Sequence, residues 1–101
     1  MSYTLEITEA AQEDIREAFL YYESQKEDLG TRFEAHITQA IEQIQQNPLH
    51  VQIRYGSTRV LFLKKFPYGI HYQVYQEKIS ILIIAVFHTA RDPRKWKGRE
   101  S

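Results

Sequence analysis

The stretch GIHYQVYQEKISILIIAVF, Gly69 to Phe87, decides the fold. Side chains of a strand alternate, so Ile70, Tyr72 and Val74 fall on one face and His71, Gln73 and Tyr75 on the other. Gln76 to Lys78 is short enough to be a hairpin loop. Ile81 to Phe87 is apolar on both faces, which predicts the most buried strand of a sheet. Just upstream, STRVLFLKKF (Ser57 to Phe66) is another run rich in β-branched and aromatic residues, and Pro67 with Gly69 marks the turn between them.

The first half has a different period. Tyr3, Leu5 and Ile7 alternate with Thr4 and Glu6, the pattern of a half-buried strand. Thr8 suits a helix N-cap and Glu9 its first turn. Ala11, Ile15, Ala18, Phe19 and Tyr22 then form one apolar helix face. EDLGT (Glu27 to Thr31) breaks this helix, with Gly30 as its terminator. A second helix carries Phe33, Ile37, Ala40, Ile41 and Ile44 and stops at Asn47-Pro48, because a residue before proline is pushed out of the α region. The predicted order is β-α-α-β-β-β, an α+β fold in one domain spanning residues 1–101. A helical hairpin packs on one face of a twisted, mainly antiparallel sheet.

Composition narrows the function classes. At 101 residues the chain can bury roughly 65% of its unfolded surface, enough for one core without a staple. It has no cysteine, hence no disulfide framework and no thiolate metal site. The N-terminal MSYTLEITEA has neither the basic nor the apolar region of a signal peptide, and the longest apolar run falls far short of the ~20 residues of a membrane span. A cytoplasmic protein with no membrane partner is expected. The formal net charge of zero hides a split: residues 1–50 hold ten acids and three bases, residues 51–101 ten bases and three acids. Either the second half meets something anionic, or the halves neutralise each other in the fold.

No catalytic arrangement stands out. The four glycines are scattered and form no phosphate loop, and the four histidines (His36, His50, His71, His88) lack metal-ligand spacing, so neither cofactor nor metal is expected. The acids lie mainly on the exposed face of the first helix, and Ser57 and Thr58 have no evident base to activate them. What remains is cationic. Arg54 and Arg59 flank a loop, Lys64 and Lys65 end a strand, and His88 and Arg91 follow the buried strand, with a turn starting at Asp92-Pro93. Trp96 sits among Arg94, Lys95 and Lys97. Such a ring suits base stacking beside phosphate-pairing cations, and equally a tryptophan folded back over the core edge.

The segment RVLFLKKFPYGIHYQVYQEKISILIIAVFHTARDPRKW (Arg59 to Trp96), most specifically KKFPYGIHYQV and IIAVFHTARDPRKW, resembles the RelE/ParE superfamily of type II toxin–antitoxin toxins, and within it the ParE-like branch. The resemblance implies one fold with two mechanisms. RelE-like members are ribosome-dependent endoribonucleases that cut mRNA with Arg, Lys, His or Tyr side chains on the concave sheet face. ParE-like members poison DNA gyrase and need no catalysis of their own. Both are neutralised by an antitoxin whose disordered part folds on the toxin.

Ribonuclease members carry an arginine early in the third strand, where this chain has Tyr68 and Gly69, and they tend to be strongly basic, where this chain is neutral. The resemblance therefore implies a gyrase-directed toxin that binds its target through Arg59, Lys64, Lys65, His88, Arg91, Arg94, Lys95 and Trp96. The alternative is a ribosome-dependent endoribonuclease acting on mRNA, with Lys64, His88 and Arg91 as its chemistry. A third reading is a degenerate toxin that only binds its antitoxin and serves plasmid maintenance. In each case a hetero-oligomer is implied, the antitoxin lying on the hairpin at Ile15, Phe19, Tyr22, Phe33 and Ile37, with a strand able to add to a sheet edge. Glu13, Glu17, Glu23 and Glu27 either meet basic antitoxin side chains or form a solvated face.

Overall fold

Thr8 opens the first helix as its sequence predicts, its hydroxyl accepting from the Ala11 N–H at 3.1 Å. In the computed structural model, which describes residues 2–100, the elements are β1 (Thr4–Ile7), α1 (Glu9–Gln25), α2 (Leu29–Gln46), β2 (Ile53–Tyr55), β3 (Thr58–Phe62), β4 (Tyr68–Tyr75) and β5 (Ser80–His88). A single 3₁₀ turn, Gln76–Lys78, joins β4 to β5, and a longer 3₁₀ segment covers Pro93–Arg99. The sheet order is β1-β5-β4-β3-β2. β1 runs parallel to β5, and every other pair is antiparallel.

The alternation in β4 divides the molecule into two layers. Ile70, Tyr72 and Val74 face the helices and join Phe33, Ile37, Ala40, Ile44, Ile81 and Ile83 in the main core. His71 lies opposite Val60 and Ala85, and Gln73 opposite Thr58 and Leu82, on the other face. The β4–β5 register shifts by one residue at His71/Tyr72, leaving Ile84 as a bulge. Ile84, Ala85 and Phe87 gather with Trp96 in a second apolar cluster on that face. β5, the run apolar on both faces, occupies the interior of the sheet and is nearly all buried.

Three expectations change. Gly30 does not terminate α1: the helix ends at Gln25, and Gly30 is buried in the first turn of α2. A Cβ there would lie 2.7 Å from both the ring and the carbonyl oxygen of Phe19, so the glycine lets the two helices approach closely. The Glu23 carboxylate accepts from the Asp28 and Gly30 N–H groups at 3.1 and 3.0 Å, satisfying free donors where α2 begins. Gly69 belongs to β4 rather than to the turn, and a Cβ on it would meet Val60 Cγ1 at 2.8 Å. The sheet has five strands where four were expected, because β2, like the Pro93–Arg99 segment, has too few residues to leave a periodic trace.

Candidate functional site: a plugged sheet face with a cationic rim

On the face of the sheet away from the helices, His71 is 1% exposed and enclosed by rings. Trp96 packs edge-on to it at 4.8 Å, Phe87 at 5.0 Å, and its Nδ1 lies 2.9 Å from the Tyr55 hydroxyl. Burial drives its pKa down from 6.5 to about 4; the Asp14 carboxylate opposes this, while Arg99 and Arg54 add to it. At neutral pH the imidazole is therefore uncharged and closed to solvent.

The Pro93–Arg99 segment forms the lid of this stack. Asp92 caps it, accepting from the Arg94 N–H at 3.0 Å, and Pro93 supplies the preset φ of a first helical position. Arg99 anchors it, with two hydrogen bonds of 2.8 and 2.9 Å to the Asp14 carboxylate and a third of 3.0 Å to the Ile84 carbonyl. Asp14 also accepts from the Val86 N–H at 3.0 Å, so this pair satisfies backbone groups of β5 beyond the end of β1. Trp96 is buried, and its indole N–H has no hydrogen-bond partner among the described residues, so ring packing alone holds it. Of the two sequence alternatives for Trp96, the folded-back one describes the structure.

The predicted cations lie round the rim. Arg91 is exposed with its guanidinium 4.2 Å over the Phe87 ring, and Arg54 lies 5.2 Å over Phe62. Asp92 pairs with Arg94 at 2.8 Å, not with Arg91. Lys64, Lys65, Lys95 and Lys97 are exposed. Arg59 turns inward to the Leu49 and Val51 carbonyls, which ties down the loop after α2 and withdraws it from the rim. His88 is exposed, and its Nδ1 accepts from the Ala90 N–H at 2.9 Å. His88 and Arg91 border one hollow with Asp14 and Glu17; Lys64 and Lys65 border another with His36 and Gln39. The residues of an acid/base set are thus not gathered in one cavity. Of the ion pairs among the described residues, only Asp14–Arg99 joins the acidic and basic halves, so most of the rim charge is not neutralised within the fold.

The hairpin residues are placed differently from the expectation. Phe33 and Ile37 are buried in the core, and Ile15 and Tyr22 pack partly buried against it, Tyr22 lying 5.0 Å from Phe66. The Phe19 ring abuts Gly30. This apolar face is occupied by the chain's own sheet, and Leu20 and Tyr21 are the large apolar side chains α1 leaves exposed. The sequence reading missed Asp14, Tyr55, His71, Arg99 and Glu100, whose contacts on this face are nonlocal.

The family model of the ParE toxin of type II toxin-antitoxin systems, parDE, matches residues 5–93. The chain belongs to the ParE toxin family. Among solved structures it is similar to a chain of the chromosomal ParDE system of P. aeruginosa, with a TM-score of 0.75 and 18% identity over 85% of this chain and 95% of that one. A chain of the intact E. coli RelBE toxin–antitoxin complex aligns with a TM-score of 0.67 and 21% identity over 88% and 99%. For the RelBE2 complex of Mycobacterium tuberculosis the values are 0.61 and 18%, over 87% and 99%. No curated protein sequence matches the chain. The ParE family assignment and the fold shared with RelE and ParE toxins make this a type II toxin–antitoxin toxin of the RelE/ParE superfamily.

Proposed function

We propose that this ParE-family toxin inhibits DNA gyrase by binding, without catalysis of its own, and that a cognate antitoxin neutralises it. The observation that carries this reading is the filled sheet face. Where a ribonuclease of the superfamily would place an arginine, Gly69 has no room for a side chain, because Val60 and Phe62 occupy the space. Beside it His71 is sealed under Trp96, so this imidazole offers no acid or base to that face. The open groups are cations, two of them held over aromatic rings, which suits recognition of an anionic surface. The antitoxin is supported by the fold shared with chains of RelBE complexes.

The test combines purified chain, gyrase, ATP and plasmid DNA. Lost supercoiling with accumulated cleaved complex, both reversed by antitoxin, is the expected result. Growth arrest accompanied by ribosome-dependent mRNA cleavage, with gyrase unaffected, would replace this reading with the endonuclease, and loss of that cleavage in K64A or H88A would identify its chemistry.

A further inference from the structure

We infer that the β2–β3 turn is a phosphate-binding site that the chain closes with its own Glu100. The Glu100 Oε1 accepts from the Ser57 N–H at 2.8 Å and from the Thr58 hydroxyl at 3.2 Å. Gly56 adopts a φ of +51°, and a Cβ on it would occupy the place of the Glu100 carboxylate. The turn is therefore a cradle that only a residue without a side chain leaves open.

The donors are fixed from behind, independently of Glu100. The Tyr75 hydroxyl donates to Gln73 Oε1 at 2.6 Å, which orients the amide so that its NH₂ faces Thr58. Gln73 Nε2 then donates to Thr58 Oγ1 at 3.3 Å, taking up the hydroxyl as acceptor and leaving its proton for the cradle. Thr58 and Gln73 are both buried, so this relay is built into the sheet and terminates in a donor. It needs an acceptor at its end.

Glu100 fits that end incompletely. Both hydrogen bonds fall on one oxygen, and no cation pairs with the carboxylate among the described residues. A phosphate presents further oxygens, and Tyr55, the residue before Gly56, also walls a cleft with Trp96 that carries Lys97. The ligand class is a phosphate group, whether a diester or a terminal phosphate, that displaces the carboxylate. This inference does not depend on gyrase being the target.

Amide shifts of Ser57 and Thr58 in the full-length chain, followed by NMR as inorganic phosphate is added at constant ionic strength, test the site. E100A is expected to bind phosphate on the order of tenfold more tightly than wild type, the direction set by removing a competing acceptor. E100D, which keeps the charge but shortens the arm, should bind nearly as tightly as E100A. T58V in the E100A background should lose the gain; if T58V does not fold, Y75F, which cuts the exposed end of the relay, should weaken binding instead. Acetate and dimethyl phosphate are titrated alongside, the first to separate carboxylate from phosphate and the second a diester from a terminal phosphate. Equal affinity in wild type and E100A, shifts centred away from Ser57 and Thr58, wild-type behaviour of E100D, or acetate binding as well as either phosphate would overturn the assignment.

Discussion

His71 has three aromatic neighbours and no route to water, so a positive charge on it would stand in an apolar stack. Its native pKa lies below its ordinary value, so between pH 6.5 and about 4 the unfolded chain binds a proton that the native chain refuses. Stability is therefore full above that window and falls as the pH drops through it, by up to about 3 kcal/mol at its acid end. H71Q should flatten the dependence, as urea midpoints on either side of the window would reveal. An unchanged slope would assign the acid sensitivity to other groups. Gly69 is the second residue whose surroundings make a sharp demand. G69A must displace the buried Val60 side chain, and a loss of roughly 1–3 kcal/mol in chemical denaturation is expected from overpacking. Wild-type stability in G69A would mean that β3 and β4 separate easily, reopening room for a side chain there.

At the scale of the element, periodicity was a sound guide where one face is uniformly apolar. α2 buries Phe33, Ile37, Ala40 and Ile44 as their spacing predicts, and β4 divides its residues between two faces as the alternation predicts. Periodicity failed at the short elements. Gly30 resembles a helix terminator because a glycine after a helical run often is one, whereas here the demand comes from Phe19 on the neighbouring helix. A G30A substitution should destabilise the hairpin by about 1–3 kcal/mol, since a backbone carbonyl cannot move aside as a side chain can. The Pro93–Arg99 segment was illegible for a similar reason: its anchor joins residues 85 positions apart, and such a pairing has no local signature. R99A should release that segment and lower stability by roughly 1.5–3 kcal/mol, the range for hydrogen bonds to charged groups. Trp96 is the chain's sole tryptophan, so a red shift of emission in R99A, with circular dichroism unchanged, would report the release directly.

For the whole molecule, the division of charge along the sequence becomes a division in space, with acids concentrated on the helices and free cations on the sheet rim. The amino-acid order made that polarity visible, and also the layer pair and the resemblance to RelE/ParE toxins. It could not reveal which cations are free, since Arg59 and Arg99 differ from Arg91 only in partners supplied by distant segments. Arg91 makes no ion pair among the described residues, so R91A should leave the melting temperature close to wild type while abolishing growth arrest on expression. Full toxicity in R91A would remove this arginine from the target surface. The parallel pairing of β1 with β5 has a further consequence, in time rather than in space. Thr4 lies beside Ser80 and Ile7 beside Ile83, so the first strand made must wait for the final one before it has a neighbour. During synthesis the two helices form early from local contacts, while the sheet that covers their apolar face is still unfinished. For as long as β5 remains unmade, α1, with Ala11 and Ala18 on its buried side, lacks the strand it packs against, whereas Phe33 on α2 already has Tyr22, Phe66 and Tyr68 for neighbours.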